Sequence, residues 1–161
     1  MKVNLILLRQ ISILSVIIGL IIGLISNIPF IGNIAFVLYI MGLSGGLMIY
    51  LKKNNILGDI TIKEGAVMGA VIGATSFIGF CISFIPICII IALITNNFLG
   101  NILLSGFTNF SMFFTMVFLL VLVALLCALM NGFTGGVTAY VYQVLAEYKN
   151  EKANEFNIRM K

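Results

Sequence analysis

The fold class this sequence predicts is all-α: a polytopic transmembrane helix bundle of four main spans, arranged as two parallel helix-pair repeats. Three observations predict it. Of 161 residues, 61% are hydrophobic and 9% charged, against about 25% charged in a soluble domain, so lipid must solvate most of the chain. The nine basic and five acidic residues fall into three clusters: Lys2 and Arg9, then Lys52 to Glu64, then Glu147 to Lys161. The intervals 10–51 and 65–146 carry no charge at all, as membrane-crossing stretches require. Finally, Met41-Gly-Leu-Ser-Gly-Gly-Leu-Met-Ile-Tyr-Leu51 recurs as Asn131-Gly-Phe-Thr-Gly-Gly-Val-Thr-Ala-Tyr-Val141. Each copy stands near the end of a long apolar run, shortly before charge returns.

The first span runs from about 5 to 26, behind a short basic leader. Ser26-Asn27-Ile28-Pro29 lacks the small-x-small pattern of a signal-peptide cleavage site, so the helix is expected to stay uncleaved. Gly19 and Gly23 lie four apart on one face, where small residues allow a neighbouring backbone to approach. Asn27 to Asn33, with Pro29 and Gly32 and no charge, suits a short exterior turn. The second span, about 34 to 51, ends on Gly45-Gly46, with Tyr50 as interfacial aromatic and Lys52-Lys53 as anchor.

The loop to Glu64 holds the turn formers Asn54-Asn55 and Gly58-Asp59, and Lys63 and Glu64 read as interfacial anchors. Gly65, Gly69 and Gly73 then recur at strict four-residue spacing with Ala66, Ala70 and Ala74 alongside. This is the strongest helix-packing signal in the chain, because association inside lipid rests on close van der Waals contact. Its partner, from this chain or another, is left open by the sequence. The third span is expected to reach the far side at Pro86, about 22 residues or about 33 Å after Glu64. There Ile82-Ser83-Phe84-Ile85-Pro86 echoes Ile25-Ser26-Asn27-Ile28-Pro29.

The two echoes are separated by 57 and 90 positions, so the second half carries 33 more residues after Pro86. Three arrangements of the segment near 87–109 compete: helices that project beyond the membrane, a re-entrant or interfacial hairpin, or an additional span over 87–104. The additional span fits the charge clusters and Gly-Gly motifs least well. The fourth span covers about 110 to 146 and is expected to kink near Asn131-Gly132 before Gly135-Gly136. A short polar tail follows over 147–161, expected to be a cytoplasmic helical extension that frays towards its end. All basic residues then lie on one side of the four spans, which predicts a multi-pass protein of the inner (plasma) membrane with both termini cytoplasmic.

Function classes narrow by what is missing. There is no histidine and no tryptophan, and no ionisable group within a span, which argues against a proton relay, a voltage sensor or an intramembrane metal site. Cys81, Cys88 and Cys127 sit in apolar context, without metal-type spacing, and read as small buried hydrophobes. The net charge of +4 marks membrane sidedness rather than a nucleic-acid footprint. Serine and threonine in helices commonly bond their own backbone, so Ser12, Ser15, Ser44, Thr75, Ser76, Ser83, Thr115 and Thr138 are individually bland. Asn131, followed by Gly132 and Thr134, is the exception: an amide there is either interhelical glue or a contact lining a polar cavity, and glue is favoured.

The order of Pro29, Gly45, Gly46, Tyr50, Leu51, then Gly65, Gly69 and Gly73 resembles that of small glycine-rich multi-span membrane proteins of bacteria and archaea. The resemblance spans the first half of the chain, rests on packing motifs and implies no activity. The leading expectation is a non-enzymatic bundle, a scaffold or assembly subunit that self-associates through glycine faces, with no cofactor. Its partners would be the lipid bilayer and either a second copy or another membrane protein. A small-solute or ion transporter or channel, with a pathway near Asn131 and the Gly-Gly motifs, is the alternative. An enzyme ranks third, since only Lys63, Glu64, Glu147 and Tyr148 stand near the interface to do chemistry.

Overall fold

The computed structural model describes residues 5–28, 30–54, 56–58, 60–95, 101, 105 and 109–159. Within them are four long helices: α1 (Leu5–Ile25), α2 (Ile31–Lys53), α3 (Ile62–Thr95) and α4 (Phe110–Arg159). Each is long and apolar enough to cross a membrane. Helix is what such sequences must form in lipid, because the backbone then satisfies its own polar groups.

At about 1.5 Å per residue, the 21 residues of α1 and 23 of α2 match a hydrocarbon core of about 30 Å. The 34 residues of α3 and 50 of α4 are far longer. One expectation is revised here. α3 does not stop at Pro86 but continues through it to Thr95. Proline costs one rung of the ladder, yet ending the helix in an apolar setting would leave several backbone groups unpaired, so continuation is the cheaper outcome. Asn131-Gly132 lies within α4, and the helix runs on past the apolar span through the polar tail to Arg159, as a helical extension there would. Residues 87–95 therefore belong to α3, and most of 96–108 lies outside the described residues.

α3 is the central element, packed along α4 on one side and α1 on the other. Its two faces use different residues. On the α1 side, a Cβ on Gly19 would strike the Ser76 carbonyl, one on Gly79 the Val16 carbonyl and one on Gly23 the Ser83 hydroxyl. Ser83 Oγ also donates to the Leu20 carbonyl at 2.8 Å. On the α4 side stand Gly65, Gly69 and Gly73. α2 leans on α4 and, less extensively, on α3 and α1. The order of contacts makes α1 parallel to α3, α2 parallel to α4, and α3 antiparallel to α4.

Side chains fill the remaining space in two clusters. Near the charged end, Ile11, Leu47, Leu51, Leu57, Met68 and Ile72 join α1, α2 and α3 under the 54–61 loop. Further along, Tyr39, Phe77, Phe80 and Cys127 form the second cluster, with Phe80 stacked between Tyr39 (5.8 Å) and Phe84 (5.0 Å). α3 starts on a capping box: Thr61 N–H donates to Glu64 Oε2 (3.1 Å) and Glu64 N–H to Thr61 Oγ1 (3.3 Å), pairing otherwise orphaned donors. Glu64 is thus a helix cap as well as an interfacial charge.

The turn between α1 and α2 is tight. A Cβ on Gly32 would collide with the Ser26 carbonyl, and Phe30 adopts φ 64° with its ring 87% exposed. A side chain at that φ is strained by about 1–3 kcal/mol, and the ring gains little packing in return. Phe30→Gly is therefore expected to stabilise the bundle by about 1 kcal/mol after the entropy cost of glycine, read as a higher thermal midpoint in detergent.

Candidate functional site

The most concentrated polar chemistry inside the bundle lies where α2 meets α4. Asn131 is fully buried. Its Nδ2 donates to the Ile40 carbonyl of α2 (3.1 Å) and to the Cys127 carbonyl of its own helix (3.0 Å). Its Oδ1 accepts the Ser44 N–H at 3.0 Å. Ile40 and Ser44 are four apart, so one side-chain amide bridges both ends of a single rung of the α2 ladder. The amide orientation is dictated, because the reverse would set N–H against N–H and oxygen against two carbonyls.

Ser44, also fully buried, completes the clasp. Its Oγ lies 2.7 Å from the Asn131 carbonyl, to which it donates, and 2.6 Å from Thr134 Oγ1. With the Ser44 proton on that carbonyl, Thr134 is the donor of the 2.6 Å bond, and the carbonyls of Met130 (3.2 Å) and Asn131 (3.1 Å) in its own helix are its longer alternatives. One turn away from Ser44, Tyr39 OH meets Ser76 Oγ at 3.1 Å, and Ser76 donates to the Gly73 carbonyl at 3.1 Å. These groups form a seam of short-range hydrogen bonds through the α2–α3–α4 interface.

Counting capacity decides what the seam can do. Both Asn131 donors are used, and its oxygen is engaged. Ser44 and Thr134 direct their hydroxyls at fixed protein partners. A ligand would have to displace bonds that cost free energy to leave unmade in an apolar interior. No cluster of three or more histidine, cysteine or acidic residues that could hold a metal occurs among the described residues, and the three cysteines are free thiols. The geometry is that of a clasp.

The glycines singled out by sequence divide into filled and open positions. Gly65 faces Ala139 and Gly135, whose atoms would lie 2.6–2.7 Å from an added Cβ. Gly69 sits on the Asn131 carbonyl, and Gly73 on the Cys127 carbonyl. Gly135 packs reciprocally on Gly65 and Gly69. The partner of the α3 stripe is thus α4 of the same chain. Gly136 meets Ala66 (3.5 Å) and the Ile62 carbonyl (3.8 Å) at ordinary contact distance. In the first copy of the motif, Gly45 has only Thr138 Oγ1 nearby (3.2 Å), and Gly46 has nothing within 4 Å. The twin motifs have unlike surroundings.

Gly46 and Gly42 instead border a groove of about 750 Å³ between α1 and α2, whose walls include Leu14, Ile18, Leu38 and Tyr50. Sequence reading missed this role for Gly42, although Gly42-x-x-x-Gly46 is itself a close-approach spacing. It also treated Ser44 and Ser76 as bland and passed over Tyr39, because a hydroxyl's interhelical partner has no local sequence mark. No family of known proteins matches this chain, no curated protein matches it, and neither does any solved structure. The function must be argued from the geometry.

Proposed function

We propose that the protein is a non-enzymatic integral membrane subunit of the inner membrane whose role is assembly, self-associating through the glycine face of α2. The observation that carries this reading is the open space over Gly42 and Gly46. An added Cβ meets nothing within 4 Å at either position, while Gly65, Gly69, Gly73 and Gly135 are all filled from within the chain. Inside lipid, small residues on an exposed helix face favour close helix contact.

The saturated Asn131 clasp favours this reading over a transporter or channel, for which polar groups would be held available along a pathway. Charge-free spans favour it over an enzyme. Descent from a duplicated helix pair is supported by a contact between positions that match in the sequence repeat, Ser44 with Thr134 ninety positions away; both termini are placed in the cytoplasm by the charge clusters on one side of the spans. The resemblance to small glycine-rich prokaryotic membrane proteins fits the same picture.

Gly46→Leu tests the proposal directly. The groove admits the side chain, so the protomer is expected to fold with a thermal midpoint close to the parent's, while the crosslinked dimer fraction in proteoliposomes falls several-fold. Dimer yields equal for parent and variant, or a parent that is monomeric at every protein-to-lipid ratio, would overturn it.

A further inference from the structure

We infer that the protein holds one membrane phospholipid by its headgroup in a cleft at the charged end, and that the headgroup is an aminoalkyl phosphodiester. This inference is independent of the self-association reading. The cleft holds about 720 Å³ between the end of α2, Ile60-Thr61 and α4, a size that suits a bound organic group. Its walls carry both characters an amphiphile needs. Ile60, Leu145 and Ala146 are apolar, while Lys52, Glu147 and Lys149 bring two ammonium groups and one carboxylate, with Tyr142 alongside.

The cleft is pre-shaped by its own bonds. Gln143 Nε2 donates to the Ile60 carbonyl at 3.1 Å, pinning the loop to α4. Lys52 Nζ donates to the Gly58 carbonyl at 2.9 Å, fixing that ammonium at the rim. The level is that of lipid headgroups, because charge-free helices give way to lysines and tyrosines here. That level, with Ile60, Leu145 and Ala146 in the wall, sets a membrane lipid above a soluble phosphate ester. Lysines attract the phosphodiester. Glu147, in the same lining, disfavours a purely anionic headgroup and accepts a hydrogen bond from a primary ammonium, which a quaternary one lacks.

The test is native mass spectrometry of the full chain released from nanodiscs of phosphatidylethanolamine, phosphatidylglycerol and phosphatidylcholine in equal amounts. One phosphatidylethanolamine per protomer is expected, enriched about two- to fivefold over the other lipids, the range set by partly exposed charge pairs. Lys149→Ser should lower that retention by a similar factor, and Glu147→Gln should remove the preference over phosphatidylglycerol while leaving total bound lipid unchanged. Both side chains are exposed, so unchanged thermal midpoints are expected to accompany these effects. Equal retention of the three lipids, or retention indifferent to Lys149→Ser, would overturn the inference. So would displacement of the lipid by soluble glycerophosphoethanolamine, which would make the site one for a soluble ester.

Discussion

Gly69→Leu is expected to abolish the native bundle, with the largest effect of any single change on the α3 stripe. At this position α3 and α4 are in backbone contact. An added Cβ would strike the Asn131 carbonyl oxygen, with the carbonyl carbon at 2.9 Å and the Gly132 Cα at 3.1 Å. None of these atoms belongs to a flexible side chain, so relief requires the two helices to separate. Separation would also open the contacts of Gly65 and Gly73 and draw Asn131 away from Ile40 and Ser44. Overpacking a filled site costs about 1–3 kcal/mol even when the neighbours give way; here backbone must move along a whole interface, and a loss above about 3 kcal/mol is expected.

The measurement is an unfolding titration in mixed micelles, run as a glycine-to-alanine series beside the leucine variant. Gly65, Gly69 and Gly73 should be intolerant even of alanine. Gly132, whose nearest neighbours lie at 3.3 and 3.4 Å, should be intermediate, and Gly42 and Gly46 should be indifferent. A flat series, or Gly46→Ala as damaging as Gly69→Ala, would show that the α3–α4 contact is not what holds the bundle together.

That ordering also shows which parts of the fold were readable from the sequence. The stripe of Gly65, Gly69 and Gly73 stood out because glycines at period four in a charge-free segment line one helix face and clear it for a neighbouring backbone. Nothing local distinguished Gly46 from Gly136, since the motifs match and only the tertiary arrangement leaves one open. α3 extends beyond Pro86 for a physical reason. Pro86 is a helix terminator where water can pair the freed carbonyls, and it loses that force where no such partner exists. The capping box was legible as Thr61-x-x-Glu64 but obscured by the charge beside it. Asn131 stood out as an amide within an apolar span. Its partners Ile40 and Ser44 could not be found, because one contributes only backbone and the other is a serine like many others.

The second large effect is expected at Asn131, where the series of substitutions separates a clasp from a ligand contact. Asn131→Ala removes three hydrogen bonds and leaves a void. Interhelical hydrogen bonds in membranes are worth about 0.6 kcal/mol on average and up to about 1.7, so a total near 2 kcal/mol is expected. Asn131→Asp should cost more, about 3 kcal/mol, because a carboxylate faces the Ile40 and Cys127 carbonyls and charge within a span carries its own penalty. Ser44→Ala combined with Asn131→Ala should be less damaging than the sum of the single changes: the two bonds use different atoms, Ser44 N–H on the Asn131 amide and Ser44 Oγ on the Asn131 main-chain carbonyl, but both close one α2–α4 contact, so loosening it by either change already weakens the other bond. A coupling of about 0.5–1.5 kcal/mol is the signature of residues sharing one network. If Asn131 instead lined a solute pathway, Asn131→Ala would alter flux in proteoliposomes while unfolding free energy stayed close to the parent value. Strict additivity with Ser44→Ala, or loss of a measured flux without loss of stability, would therefore remove the clasp and with it the main support for an assembly role over transport.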